Sequence, residues 1–248
     1  MCDTCGCNIT PGNEHLLAEH GHLHTTGSGR ESVEVLKGLL DANDHQALHN
    51  REQFARHGGL AVNLMSTPGA GKTALLEATI EALDGRLRVA VIEGDLETEN
   101  DAERIRGKGV PAVQISTGSA CHLDAHMVHS ALHELSLDDV DIVFIENVGN
   151  LVCPASFDLG QHLNVALLST PEGDDKPAKY PVMFRSADLV LITKSDLLGV
   201  LDDFSPERAE ACLRDLASSV PLFEVSSKNG AGLDTWLQWL GTARSEAA

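Results

Sequence analysis

Aromatic residues and positive charge are scarce in this chain of 248 residues. One tyrosine, two tryptophans and six phenylalanines make up 4% of the sequence, and 18 lysines and arginines oppose 37 aspartates and glutamates. The formal net charge of −19 repels phosphate backbones and anionic lipid headgroups, because these carry charge of the same sign. We therefore expect neither nucleic acid nor a membrane surface as a partner.

Long apolar runs are also missing. No stretch of 18 apolar residues occurs, and the first residues lack the basic flank and apolar segment of a secretion signal. We therefore expect no membrane insertion and a cytoplasmic location. In that reducing compartment, closely spaced thiols among the six cysteines are more often metal ligands or redox groups than disulfides.

The chain divides into a short tail and one large domain. Residues 1–29 contain three cysteines, four histidines and hardly any apolar periodicity, so we expect a flexible metal-binding tail that cannot fold alone. Residues 30–248 should form one domain, since 42% of the chain is hydrophobic. The domain begins with a helical segment from Glu31 to about His57, which Gly58 and Gly59 end.

Short apolar, β-rich runs alternate with helix-like segments through the domain. This alternation predicts an α/β fold with a doubly wound, mainly parallel sheet. The predicted strands are Leu60–Leu64, Arg88–Ile92, Ala112–Ile115, Ile142–Ile145, Val165–Leu168, Leu189–Ile192 and Leu222–Val225.

A phosphate-binding loop follows the first predicted strand and precedes a helix predicted over Lys72–Leu83. The segment Ser66–Thr73 fits the pattern G-x-x-x-x-G-K-[ST], except that Ser66 replaces the first glycine. In such loops backbone amides and a helix N-terminus converge on phosphate oxygens, the lysine neutralises charge on the β- and γ-phosphates, and the last hydroxyl ligates Mg²⁺. The expected phosphate-binding residues are Pro68, Gly69, Ala70, Gly71, Lys72 and Thr73.

A base-selecting element follows a later strand. Thr193-Lys-Ser-Asp196 resembles the [N/T]-K-x-D element of GTPases, in which a carboxylate accepts hydrogen bonds from the guanine N1–H and 2-amino groups. Ser226-Ser-Lys228 resembles a further base-contacting loop, although an ordinary turn would look the same. We expect the base to contact Lys194, Asp196, Ser226 and Lys228.

Carboxylates at strand ends provide candidates for catalysis. Glu146-Asn-Val-Gly149 ends a strand where GTPases place the D-x-x-G switch that senses the γ-phosphate. Asp95 is a second candidate for holding Mg²⁺ or positioning water, and Asp101 a weaker one; either acid is alternatively a helix cap. Together with Lys72 and Thr73, Asp95 and Glu146 form the expected catalytic set.

Cysteine and histidine clusters predict metal binding. Removal of Met1 would leave the α-amine of Cys2 beside its thiolate, and Cys5 and Cys7 complete a donor set that suits planar Ni(II) or tetrahedral Zn(II). Four further potential ligands follow in the tail: His15, His20, His22 and His24. Exposed histidines without a ligand role are an equal alternative for them.

Three potential ligands lie inside the domain. Cys121 and His122 are expected at the start of a helix. Together with Cys153 they could bind a metal ion; the alternative is that Cys121 and Cys153 are small, buried apolar residues. The spacing of 4, 3 and 4 predicts that His122, His126, His129 and His133 share one helical face. For the last three we favour a polar, solvated face over a metal site.

Four segments resemble one family, the HypB hydrogenase nickel-incorporation GTPases, over nearly the whole chain. They are Cys2-x-x-Cys5-Gly6-Cys7, Cys121-His-Leu-Asp124, Phe144–Pro154 and Glu172–Pro181.

The resemblance implies a GTPase of the SIMIBI class of phosphate-loop proteins that dimerises with GTP. It implies tight nickel binding by the three tail cysteines and a Zn²⁺ or Ni²⁺ site at the dimer interface, held by Cys121, His122 and Cys153. It also implies delivery of nickel to a [NiFe]-hydrogenase large-subunit precursor with the partner HypA. Ser66 in place of glycine and Thr193 in place of the commoner asparagine depart from the family pattern.

Two other functions compete with this interpretation. A urease-type nickel GTPase, UreG, should carry a Cys-Pro-His motif, which the chain lacks. A passive nickel reservoir would store metal on the tail and histidines and use the nucleotide domain as a scaffold. Metal release coupled to GTP hydrolysis separates the reservoir from the GTPase.

Overall fold

The structure, a computed structural model, describes residues 29–95, 100–118, 120–216 and 219–247, with side chains from residue 38 onwards. Nearly all of the predicted tail lies outside these residues, including Cys2, Cys5, Cys7 and the four tail histidines. The division into a tail of residues 1–29 and a domain of residues 30–248 therefore stays a prediction.

Seven parallel strands form one sheet in the described part of the chain, in the order β3-β2-β4-β1-β5-β6-β7. All seven predicted strands are confirmed, and their ends differ from the predicted ends by at most three residues. The strands are β1 (Leu60–Met65), β2 (Val89–Asp95), β3 (Ala112–Ser116), β4 (Ile142–Glu146), β5 (Leu163–Ser169), β6 (Leu189–Thr193) and β7 (Leu222–Val225).

Helices connect the strands, as the predicted doubly wound fold requires. The first helix ends at His57 and the second spans Lys72–Leu83, both as predicted. The helices are α1 (Gly29–His57), α2 (Lys72–Leu83), α3 (Asn100–Arg106), α4 (Ala125–Glu134), α5 (Lys176–Lys179), α6 (Pro181–Arg185), α7 (Pro206–Asp215) and α8 (Leu233–Ala247). Single 3₁₀ turns occur at Cys153–Ser156, Thr170–Glu172 and Ser195–Leu197. No described helix has the length and apolar character needed to cross a membrane.

The core lies on both faces of the sheet because strand side chains alternate between them. On one face Leu64 packs with residues of α2 and α8, including the fully buried Trp236. The Trp236 Nε1 donates to Thr79 Oγ1 (2.9 Å), so its one polar atom has a partner. On the other face α1 and α4 cover β2 and β4, with Phe54 among the buried side chains.

The central position of β1 locates the site. β1 pairs with β4 on one side and β5 on the other, and chain connections run in opposite directions from there. In parallel sheets ligands bind outside the carboxyl ends of the strands at such a point. The segments after β1, β4 and β6 all emerge at this edge, so the predicted phosphate, switch and base elements converge.

Candidate functional site

The loop between β1 and α2 has the shape of an anion-binding loop. Gly69 and Gly71 have φ angles of 76° and 98°, in the left-handed region that favours glycine. Gly71 caps α2 without any side-chain hydrogen bond to the helix. The first amides of α2 therefore remain available to an anion, whose charge the helix dipole stabilises.

Ser66 fits the position where the motif usually has glycine. In the described residues the non-glycine positions with positive φ are Asp84, Asp139 and Lys194, so Ser66 has an ordinary backbone. Its hydroxyl donates to the Thr67 carbonyl (2.7 Å) and accepts from Lys72 Nζ (3.2 Å). The serine thus leaves the loop intact and helps to position the lysine.

Lys72 and Thr73 meet the acid at the end of β4. Both are buried, and Thr73 Oγ1 donates to Glu146 Oε1 at 3.0 Å. Lys72 Nζ lies 3.9 Å from the same oxygen. The structure therefore brings together three members of the predicted catalytic set.

Glu93 is a site residue that the sequence analysis missed. It lies directly beside Glu146 in the register of β2 and β4 and is 2% exposed. Burial, and next the charge of Glu146, raise the pKa of Glu93 to about 10. Burial also raises the pKa of Glu146, against the lowering effect of Lys72. The pair therefore retains a proton at neutral pH.

Two oxygens of this pair, Glu93 Oε1 and Glu146 Oε2, are buried without a hydrogen-bond partner. Buried carboxylate oxygens without partners beside a threonine hydroxyl match the oxygen ligands that Mg²⁺ prefers. The residues present therefore fit the expected magnesium ion. The sequence did contain a signal for Glu93, because residues two apart on a strand face the same way and Glu93 precedes Asp95 by two.

The other two candidate acids are Asp95, two residues after Glu93, and Asp101, whose charge acts on the carboxylate pair. Asp95 ends β2 and is half-buried, and its carbonyl accepts from the Thr117 amide (2.9 Å). Asp101 lies in the first turn of α3, where its carboxylate pairs with Arg104 at 2.8 Å. The arginine partner makes Asp101 the weaker candidate, and the predicted role of Asp95 stays a prediction.

The base-selecting element is attached to the phosphate loop. Thr193 Oγ1 donates to the Ala70 carbonyl (2.7 Å) and Lys194 Nζ to the Gly69 carbonyl (2.8 Å). Thr193 therefore provides a side-chain donor at the position where asparagine is commoner. Lys194 has a left-handed φ of 56°, which turns the chain towards Asp196.

Asp196 lines a cavity of about 500 Å³ beside α2. Ser226 Oγ donates to Asp196 Oδ1 at 2.7 Å, which lowers the pKa of Asp196, and Lys228 Nζ lies 3.7 Å from Oδ2. An ionised carboxylate thus faces the cavity. Ser226 is fully buried behind Asp196 and orients it, whereas Ser227 lines the cavity with Lys228. The predicted contact between Ser226 and the base stays a prediction.

The segment after β4 contacts the phosphate loop. A Cβ atom at Gly149 would lie 2.7 Å from the Cα and N atoms of Pro68, so only glycine fits without a shift. Asn147, also missed by the sequence analysis, is fully buried. Its Oδ1 accepts from the amides of Leu123 (3.1 Å) and Val148 (2.9 Å).

Cys121, His122 and Cys153 converge within one chain. Their ligand atoms all lie within 4.8 Å of one another, with the two Sγ atoms 3.1 Å apart and Cys121 Sγ 3.7 Å from His122 Nδ1. The His122 ring stacks on Phe157, and burial lowers its pKa to about 4. The imidazole is therefore neutral, the form that binds metals. The predicted meeting is confirmed, and its occupation by a metal stays a prediction.

One prediction about the histidines was wrong, and a second holds only in part. α4 begins at Ala125, because Asp124 caps it by accepting from the Met127 amide (2.8 Å). Cys121 and His122 precede the helix, so His122 does not share a helical face with the later histidines. The expected solvated face is also incomplete, since His126 and His129 are half-buried and only His133 of the three is exposed.

Known proteins resemble this chain over most of its length. Residues 60–224 match the family described as CobW/HypB/UreG, nucleotide-binding domain. The hydrogenase maturation factor HypB of Escherichia coli K12 is 50% identical over 228 residues, which cover 91% of this chain and 78% of that protein. This chain belongs to the HypB family.

Solved HypB structures share the fold. The crystal structure of HypB from Helicobacter pylori in complex with nickel has a TM-score of 0.79 and 42% identity, and the match covers 83% of this chain and 96% of that one. HypB from Archaeoglobus fulgidus has a TM-score of 0.77 and 38% identity, covering 83% and 100% of the two chains. The predicted phosphate-loop fold and family are therefore confirmed.

Proposed function

We propose that this HypB-family chain is a GTP-hydrolysing nickel chaperone that supports nickel insertion into a [NiFe]-hydrogenase precursor. The observation that carries the proposal is the segment Asn147–Asn150. It contacts the phosphate loop at Gly149. Through Asn147 and Asn150 it contacts the segment Cys121–Leu123, the predicted metal loop. The relatives are named hydrogenase maturation factors, and one of their structures is a complex with nickel. These names support nickel as the metal and hydrogenase maturation as the process.

Two parts of the site support GTP binding: the phosphate loop and the carboxylate of Asp196. The uncapped N-terminus of α2 and Lys72 receive the phosphates, since both carry positive charge. Asp196 accepts from the N1–H and 2-amino groups of guanine, whereas adenine has no donors at those positions. Ser226 holds the carboxylate in place and lowers its pKa, so that it is ionised when the base arrives.

Mg²⁺ would be held by Thr73, Glu146 and Glu93, with Asp95 as a further candidate. When bound, the ion neutralises charge on the β- and γ-phosphates. Lys72 adds a second positive charge at the same phosphates. The shared proton of the Glu93–Glu146 pair must leave before both carboxylates bind a cation, so magnesium affinity should rise with pH. Asp95 or Glu146 then orients the attacking water.

Cys121, His122 and Cys153 would hold Ni²⁺ or Zn²⁺, because thiolates and a neutral imidazole suit both ions. Cys2, Cys5 and Cys7 would capture nickel first, and HypA and the hydrogenase large-subunit precursor would be the partners in transfer. A homodimer promoted by GTP and metal would bring two metal loops together. We place these steps in the cytoplasm, where thiols stay reduced.

The segment Asn147–Asn150 would couple nucleotide binding to metal binding. A γ-phosphate that draws in Gly149 also moves Asn150, whose Nδ2 donates to the Cys121 carbonyl (3.3 Å). Nucleotide and metal then tighten each other, as linkage requires.

Nickel release decides between this chaperone and a passive reservoir. The full chain is loaded with Ni²⁺ and Mg²⁺, and transfer to a chelator is timed with GTP, with a non-hydrolysable GTP analogue and with GDP. The chaperone releases nickel at different rates in the three states, and Lys72→Ala abolishes the difference. Equal rates in all three states would show a reservoir.

A further inference from the structure

Two histidine rings on α4 meet at their Nε2 atoms. His129 and His133 are one helical turn apart, and their Nε2 atoms are 3.1 Å apart. The ring planes are nearly perpendicular, at 85°. His129 is half-buried against α1, whereas His133 is exposed. Histidines at positions i and i+4 of a helix are a common arrangement for two ligands of one ion.

Asn50 of α1 determines which nitrogen of His129 carries its proton. Asn50 is fully buried, and its Nδ2 donates to the carbonyls of Ala125 (2.7 Å) and Leu159 (3.1 Å). These two bonds fix the amide orientation, so the atom 3.0 Å from His129 Nδ1 is the oxygen Asn50 Oδ1. An amide oxygen only accepts, so His129 Nδ1 must donate. The lone pair of His129 Nε2 therefore points towards His133.

The surroundings keep His129 neutral. Burial lowers its pKa, and positive charge on His133, His126 or His49 would lower it further. Neutral imidazole with a second hydrogen bond that fixes its tautomer is the form found in metal sites, where the partner also makes the ligand more basic. The arrangement of Asn50 behind His129 is the one that such sites require.

The distance between the two nitrogens matches a chelated ion. With metal–nitrogen distances of about 2.1 Å, nitrogens 3.1 Å apart subtend about 95° at the ion. That angle is closer to the angle between neighbouring ligands of a square-planar or octahedral ion than to the angle between ligands of a tetrahedral ion. Ni²⁺ and Cu²⁺ adopt those geometries and bind imidazole well.

We propose that His129 and His133 form a two-histidine site for a divalent transition metal, oriented by Asn50. The site shares no ligand with Cys121, His122 and Cys153. His49 and His126 also lie close enough to affect the pKa of His129. In the absence of metal, one ring donates to the other across the same distance.

The test counts nickel ions bound by the full chain. Equilibrium dialysis against Ni²⁺ gives total nickel per chain, and thiolate-to-nickel charge-transfer absorption reports the cysteine sites separately. Wild type is compared with His133→Ala, an exposed position whose loss should not disturb folding. His57→Ala is the matched control, because it removes an exposed imidazole that pairs with Asp138 and not with His129.

We expect His133→Ala to bind one nickel ion fewer per chain while its charge-transfer absorption stays at the wild-type level. His57→Ala should bind as much nickel as wild type. Equal nickel counts for wild type and His133→Ala would overturn the proposal, as would an equal loss in His57→Ala.

Discussion

The side-chain oxygen of Asn147 accepts a hydrogen bond from the Leu123 amide at 3.1 Å. Asn147 directly follows Glu146, the acid beside the phosphate loop, and Leu123 directly follows His122 of the predicted metal cluster. One buried hydrogen bond therefore connects the two sites. Since a buried polar group that loses its partner costs about 1–3 kcal/mol, moving one segment away from the other carries a penalty of that size.

Replacing Asn147 should uncouple nucleotide from metal. In Asn147→Ala the Leu123 amide loses its acceptor, so metal affinity at Cys121, His122 and Cys153 should no longer differ between GDP and a GTP analogue. Isothermal titration in both nucleotide states measures this. Asn63→Ala is the matched control, because it removes the hydrogen bond that Asn147 Nδ2 donates to Asn63 Oδ1 (3.2 Å) and leaves the Leu123 bond intact. A nucleotide effect that survives in Asn147→Ala would contradict the connection.

Adding one methyl group at Gly149 should impair nucleotide binding. The new Cβ would lie 2.7 Å from the Pro68 backbone and push the phosphate loop out of place, so we expect at least about a tenfold loss of GTP-analogue affinity. A fluorescent nucleotide titration measures it. Gly241→Ala in α8, where a Cβ meets nothing within 4 Å, should leave affinity unchanged. Equal affinities for the two variants would refute the close-contact argument.

Base specificity should depend on Asp196. Asp196→Asn replaces one acceptor by a donor, so GTP affinity should fall by about tenfold or more while affinity for xanthosine triphosphate rises. Competition binding with GTP, ATP and xanthosine triphosphate measures both changes. The exposed Asp202→Asn serves as a control of equal charge change. Equal ATP and GTP binding by wild type would contradict the assignment.

The buried pair Glu93–Glu146 should make stability depend on pH. Unfolded glutamate loses its proton near pH 4.5, whereas folded Glu93 keeps it until about pH 10. The folded state therefore binds more protons in this window, and the free energy of unfolding falls as pH rises, by up to about 1.4 kcal/mol per pH unit for one proton. Denaturant unfolding of metal-free protein at pH 6, 7 and 8 measures the slope.

Glu93→Gln should flatten that slope and raise stability at pH 8, since the amide does not titrate. It should also slow magnesium-dependent GTP hydrolysis, because one carboxylate ligand is lost. Glu224→Gln, an exposed position on β7, should change neither property. A Glu93→Gln variant with the wild-type pH slope would argue against the shared buried proton.

The phosphate loop and the base-selecting element were predictable because each is contiguous. Ser66–Thr73 and Thr193–Asp196 contain within a few residues the glycines, lysines and hydroxyls that their local backbone requires. Apolar patterning likewise predicted every strand in the described residues. Glycines predicted the end of α1 at His57, which Gly58 follows, and the start of α2 at Lys72, which Gly71 precedes. Strand ends shifted because polar residues such as Glu93 and Glu146 continue the ladder beyond the apolar run.

By itself the sequence determined the fold class and the phosphate loop, and it predicted Asp196 as the guanine-selecting carboxylate and Cys121, His122 and Cys153 as metal ligands, because each depends on local pattern and residue chemistry. Tertiary structure alone decided that Glu93 faces Glu146, that Asn147 connects Glu146 to the metal loop, and that Asn50 orients His129. These relationships depend on strand register and helix packing, which join residues far apart in the chain. No local pattern encodes which distant side chain will lie within hydrogen-bonding distance.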